Sequence, residues 1–190
     1  MSTGPLNKAI GFDGDPGGAY ANLYAERMAL SSGRLGWHGR GADYLGALLA
    51  SRPDDAVLRE RLANLHWLLL DDPAAALGVL DAAPAVSARE ANLAIARATI
   101  LATANDAAVA DGEEALGIAE SLVASFPDEP VVHEVHAAAF ARAGRFDEAV
   151  SALEKAIVLL PAGDDPVRAE WESLRVSYTR GLPKIRGPIE

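Results

Sequence analysis

Residues 130–161 read PVVHEVHAAAFARAGRFDEAVSALEKAIVLLP, and this stretch decides the fold. Its apolar residues recur at spacings of three and four, the period of a helix face, with a break at Ala143-Gly144-Arg145. Counting Pro130 as position 1, small residues stand at positions 8 (Ala137), 20 (Ala149) and 27 (Ala156), aromatic rings at 11 (Phe140) and 17 (Phe146), and Leu153 at 24. Alanines at matched places on two helices let the backbones approach where the helices cross, and the phenylalanines fill the space beside them. Gly144, at position 15, suits the left-handed turn that ends the first helix. The stretch therefore predicts an antiparallel helix pair.

The same texture extends in both directions. The chain holds 39 alanines and 24 leucines, one third of its 190 residues, a strongly helical composition. From residue 47 onward, Ala/Leu segments are separated by short punctuation at Pro53-Asp54-Asp55, Asp71-Asp72-Pro73, Pro84, Pro127-Asp128-Glu129-Pro130 and Pro161. Asp caps free amides at a helix start and Pro is tolerated in its first turn. Helices are expected near 18–32, 40–51, 55–70, 73–83, 87–104, 111–125, 130–143, 146–160 and 165–180, making four antiparallel pairs and a closing helix. Ten of the seventeen glycines precede residue 47, so residues 1–17 read as an irregular arm and 33–39 as an inter-helix loop. No segment shows sustained strand alternation. The expected organisation is an arm (1–17), an all-α repeat domain (18–182) and a C-terminal tail (183–190).

Earlier segments repeat the pattern less completely. In residues 57–84, Trp67 falls at position 11, Ala76 at 20, Leu80 at 24 and Ala83 at 27, with Asp71 in place of the turn glycine. Residues 87–127 keep Ala115 and Ala119 but carry an insertion, Thr103 to Gly112. The closing prolines at 53, 84, 127 and 161 lie 31, 43 and 34 residues apart, near the period that marks a solenoid. The complete unit resembles a tetratricopeptide (TPR) repeat, and residues 101–183 resemble a C-terminal TPR arrangement recurrent in bacterial multi-repeat proteins. That resemblance implies an α-solenoid of helix pairs, an adaptor, scaffold or complex subunit that binds another polypeptide, within a membrane-associated complex in some members, and no reaction.

In such an array, positions 2, 5, 9, 12 and 13 of each first helix face the groove. Here they are Leu58, Arg61, Leu65, Leu68 and Leu69, and then Val131, Glu134, Ala138, Ala141 and Arg142. The TPR proteins that clamp acidic tails use Lys and Asn at several of these places; Leu65 and Ala138 depart from that pattern. The expected partner-binding set is Leu58, Arg61, Leu65, Leu68, Glu134 and Arg142, an apolar strip with polar anchors suited to a helix or extended segment. The alternative is that the protein's own helices fill the strip. The structural set is Trp67, Ala76, Ala137, Phe140, Gly144, Phe146, Ala149 and Ala156.

Composition removes several other functions. There is no cysteine, hence no disulfide framework, thiol nucleophile or thiolate metal centre. The net charge of −10 argues against nucleic acid, whose phosphates require Lys and Arg. No apolar run is long enough to span a bilayer. Residues 1–18 lack an export signal, so the expected location is cytoplasmic, or periplasmic if a signal precedes residue 1. His133 and His136 share one helix face but have no third ligand nearby in sequence, so they read as packing residues, and neither a metal nor a cofactor is expected. Phe12-Asp13-Gly14-Asp15-Pro16-Gly17-Gly18 lacks the later carboxylates of a calcium loop and reads as turns. The competing functions are a homo-oligomeric structural module and a small-ligand or metal-dependent protein with its site near the N-terminal glycines. Charge is asymmetric: residues 166–190 carry a net +2 against −12 for the rest, and Pro183 and Pro188 mark the tail as a strap or extended arm.

Overall fold

The computed structural model describes residues 37–83, 90–161 and 165–186. Every regular element among them is a helix: α1 (Trp37–Ser51), α2 (Ala56–Leu69), α3 (Pro73–Asp81), α4 (Glu90–Thr103), α5 (Gly112–Ser125), α6 (Pro130–Arg142), α7 (Phe146–Leu159) and α8 (Asp165–Thr179). The arm, the helix expected at 18–32 and the Phe12–Gly18 loop lie outside the described residues. The expected loop over 33–39 is corrected at its end, because Trp37, His38 and Gly39 belong to α1. Glycine costs a helix only about 1 kcal/mol, and burying Ala42, Leu45 and Leu49 along α1 outweighs it.

Asp residues start the helices as their positions suggest. Leu58 N donates to Asp55 Oδ1 at 3.0 Å, Ala75 N to Asp72 Oδ1 at 2.9 Å and Glu114 N to Asp111 Oδ1 at 2.9 Å. Each carboxylate satisfies an amide that the helix leaves free and sits at the positive end of the helix dipole.

The chain divides into two compact units, Met1–Val86 and Ser87–Glu190. In the first, α2 packs on α1 and α3 around Ala42, Leu45, Leu49, Leu58, Leu62 and Leu65, with Leu48, Leu69, Leu70 and Val79 against them. Buried Arg59 ties this unit together by donating to the carbonyls of Val79 at 2.6 Å and Pro53 at 2.8 Å.

In the second unit, α6 is the central helix: it packs against α4, α5 and α7, while α8 packs on α7. Nine of its residues, Val132–Val135 and Ala137–Ala141, are buried, the mark of a helix enclosed on most sides. Ala137, Ala149, Ala156, Ala115, Ala119 and, in the first unit, Ala76 expose no surface. Phe140 and Leu153 are buried with them, while Phe146 and Trp67 are half-buried. Gly144 has φ +78°, and α6 ends with Arg145 N donating to Phe140 O and Gly144 N to Ala141 O, the six-to-one and five-to-two closure of a Schellman turn. Asp71, at the equivalent position of the 57–84 segment, has φ +53°. The two segments thus share a left-handed residue at the same register position.

Candidate functional site

The α4 C-terminus has no glycine cap, so its last carbonyls need partners from elsewhere. They find them at long range. Asp111 N donates to Leu101 O at 3.1 Å. Arg142 Nε donates to Ala102 O at 2.7 Å and its Nη2 to Ala104 O. The backbone N–H of Arg186 donates to Thr103 O at 2.8 Å. Four successive carbonyls are thus satisfied by the insertion, by α6 and by the C-terminal tail, and a cation at a helix C-terminus also complements the dipole.

Two backbones meet beside this cluster. A Cβ on Gly112, the first residue of α5, would lie 2.8 Å from Ala143 N and 3.0 Å from Arg142 C. Glycine lets the start of α5 press against the end of α6, next to the residue whose side chain reaches α4.

The tail completes the site. Helix α8 closes at Gly181, φ +70°, with Leu182 N donating to Ser177 O and Gly181 N to Tyr178 O, the same closure as α6. From there residues 182–186 continue without helix. Lys184 Nζ donates to Glu134 Oε1 at 2.9 Å and lies 3.9 Å from Glu170 Oε1. The Glu134 side chain is 9% exposed against 34% for Lys184, so the carboxylate is part of the wall and the ammonium is brought to it. Tyr178 is fully buried beside Glu134, and its hydroxyl has no hydrogen-bond partner; burial, with Glu134 adding to it, pushes its pKa well above the usual phenol value. The strap thus runs from α8 over the Glu134 face of α6 to the end of α4.

The residues expected to bind a partner have different surroundings. Leu58 and Leu65 belong to the core formed with α1, so there the chain's own helix covers the strip, the alternative raised by the sequence. Arg61 and Leu68 are half-buried. Glu134 meets Lys184, Arg142 is spent on the α4 carbonyls, Ala138 and Ala141 are buried, and Val131 is 41% exposed. Thr103, Tyr178, Lys184 and Arg186 are not among the expected partner-binding residues; the basic tail is the sequence signal for Lys184 and Arg186, and Thr103 has none.

A second feature lies between α5, α6 and α7: an open depression of about 450 Å³ lined by Val123, His133, His136, Phe140, Ser151 and Lys155, among others. His133 Nε2 donates to Pro127 O at 2.7 Å, which fixes its tautomer. The His136 ring lies 4.2 Å from that of Phe140, over which the Arg145 guanidinium also sits at 4.6 Å. Burial lowers the His136 pKa, opposed by Glu120 and aided by His133, Arg145 and Lys155. Among the described residues no group of three or more His, Asp or Glu side chains is placed to hold a metal ion, and no helix is long and apolar enough to cross a membrane.

Comparison of the chain with protein-family models, with curated proteins and with solved structures finds no match.

Proposed function

We propose that this chain is a non-catalytic, TPR-like adaptor or accessory subunit that holds a partner polypeptide on the α6 face of its second unit. One observation carries the reading: that face already lodges a non-helical stretch of polypeptide, Leu182–Arg186, through an ion pair to Glu134 and a backbone hydrogen bond to Thr103. Backbone bonding combined with a side-chain anchor is the way extended segments are recognised in general. The buried alanines at matched positions and the left-handed residues at Asp71 and Gly144 support the repeat register from which the groove assignment comes. Arg142 changes role in this reading, from partner anchor to the cap that holds the groove wall in shape.

A photo-crosslinking residue placed at Val131, 41% exposed at groove position 2, is expected to capture a partner polypeptide in the source cells. The same group at Val158, 81% exposed on α7, is expected not to capture it. Equal capture from both positions, or capture from Val158 alone, overturns the groove assignment.

A further inference from the structure

We infer that the Glu134 face is a receptor for an extended cationic polypeptide segment, and that the protein's own strap, Leu182–Arg186, is a displaceable occupant which keeps it closed. The inference rests on the groove reading above and names the chemistry of its ligand. Three features of the strap point the same way. Its hold is polar: Lys184 is paired with Glu134, and Arg186 N–H is bonded to the Thr103 carbonyl. Of its apolar side chains, Leu182 and Ile185 stay 56% and 52% exposed and Pro183 is half-buried, so none is fully removed from water and apolar burial only partly holds the strap in place. Its charge is opposite to that of the unit it lies on: Lys184 and Arg186 give the strap +2, whereas residues 87–181, with 8 Lys and Arg against 16 Asp and Glu, carry −8.

The receptor side is built for such a segment. Glu134 is held in the wall at 9% side-chain exposure. A buried carboxylate demands a cation or hydrogen-bond donors, and a cation at the place of Lys184 supplies both at once. Glu170, 3.9 Å from Lys184 Nζ, adds a second acidic group on the α8 side. Thr103 O stands at the negative end of α4 and accepts from a backbone N–H, a bond that any extended residue other than proline can make. An anionic segment would lose both charge contacts; a helix could offer Thr103 a free backbone N–H only from its first turn.

The test uses the full chain and a labelled synthetic peptide of residues 182–190, LPKIRGPIE. Lys184→Ala with Arg186→Pro loosens the strap by removing its ammonium and its backbone donor. The peptide is expected to bind this variant at least about tenfold more tightly than it binds the wild-type chain, since a receptor open only a tenth of the time shows a tenfold weaker apparent affinity. Adding Glu134→Gln to the loosened chain, or placing Glu at the two basic positions of the peptide, is expected to abolish binding. Failure of the peptide to bind a loosened chain of wild-type helicity overturns the inference, as does equal affinity for both chains.

A second measurement needs no variant. Excess peptide added to the wild-type chain is expected to speed hydrogen exchange at the Arg186 amide, because displacement frees it from Thr103; unchanged exchange at saturating peptide overturns the inference. If light scattering shows the wild-type chain pairing and the Lys184→Ala, Arg186→Pro chain monomeric, the occupant is the tail of a second copy and the partner assignment falls. Capture from Val131 together with failed peptide binding would sink the cationic-ligand inference alone and leave the groove reading standing.

Discussion

Gly112→Ala carries the sharpest physical expectation. The added methyl carbon would stand 2.8 Å from Ala143 N and 3.0 Å from Arg142 C, both backbone atoms that no side-chain rotation can move. An ordinary non-bonded contact begins at about 3.5 Å, so α5 or the end of α6 must retreat by about 0.7 Å. Overpacking of this kind costs about 1 to 3 kcal/mol, and the smaller entropy of an unfolded chain carrying alanine returns about 0.4 to 1 kcal/mol. The net loss, about 1.3 kcal/mol at the middle of these ranges, lowers Tm by about 3 to 5 °C in a chain of this size. Gly117→Ala is the internal control. It sits in the same helix, exposed, with nothing within 4 Å of its added Cβ, so the identical substitution is expected to stabilise by about 0.5 to 1 kcal/mol. Thermal unfolding followed by circular dichroism reads both. A Gly112→Ala chain that melts at or above the wild-type temperature would show that the two backbones are not in close approach.

Arg142→Met leaves the carbonyls of Ala102 and Ala104 without their donors and is expected to cost about 2 to 4 kcal/mol, read as a lower urea midpoint with unchanged slope; a midpoint equal to wild type removes Arg142 as the α4 cap. Asp71→Gly relieves a left-handed backbone at φ +53° and is expected to leave stability equal or raise it by up to about 1 kcal/mol, whereas Asp71→Val lowers it by about 1 to 2 kcal/mol; a valine variant as stable as wild type refutes the turn. For His136, burial lowers the pKa below its ordinary 6.5, so the unfolded chain takes up the proton more readily than the folded one. Its contribution is therefore complete above about pH 6.5 and is lost as the pH falls through that value. His136→Gln should flatten the decline in stability between about pH 7 and pH 5, and a variant whose profile parallels wild type would locate the sensitivity elsewhere.

What the sequence determined is local. Asp55, Asp72 and Asp111 start their helices because a carboxylate can reach an amide three residues on, whatever the rest of the chain does. Gly144 ends α6 because only a residue tolerant of positive φ closes the helix that way. The alanine spacing announced which faces would be buried, since a fixed helical period converts sequence distance into direction. Even so, α1 begins inside the segment expected to be a loop, because glycine weakens a helix without forbidding it.

The tertiary structure decided everything that joins distant parts. Arg142 could be recognised as a groove position, but its guanidinium goes to carbonyls about forty residues earlier, and no local rule reports that α4 lacks a cap of its own. Gly112 read as part of an insertion, while its need to be glycine arises from the end of a different helix. The tail read as basic and extended; that it crosses α6 to meet Glu134 and Thr103 depends on where α8 ends. Short-range hydrogen bonds and helical period are written in neighbouring residues, whereas the partners of free carbonyls and buried charges are set only when helices pack.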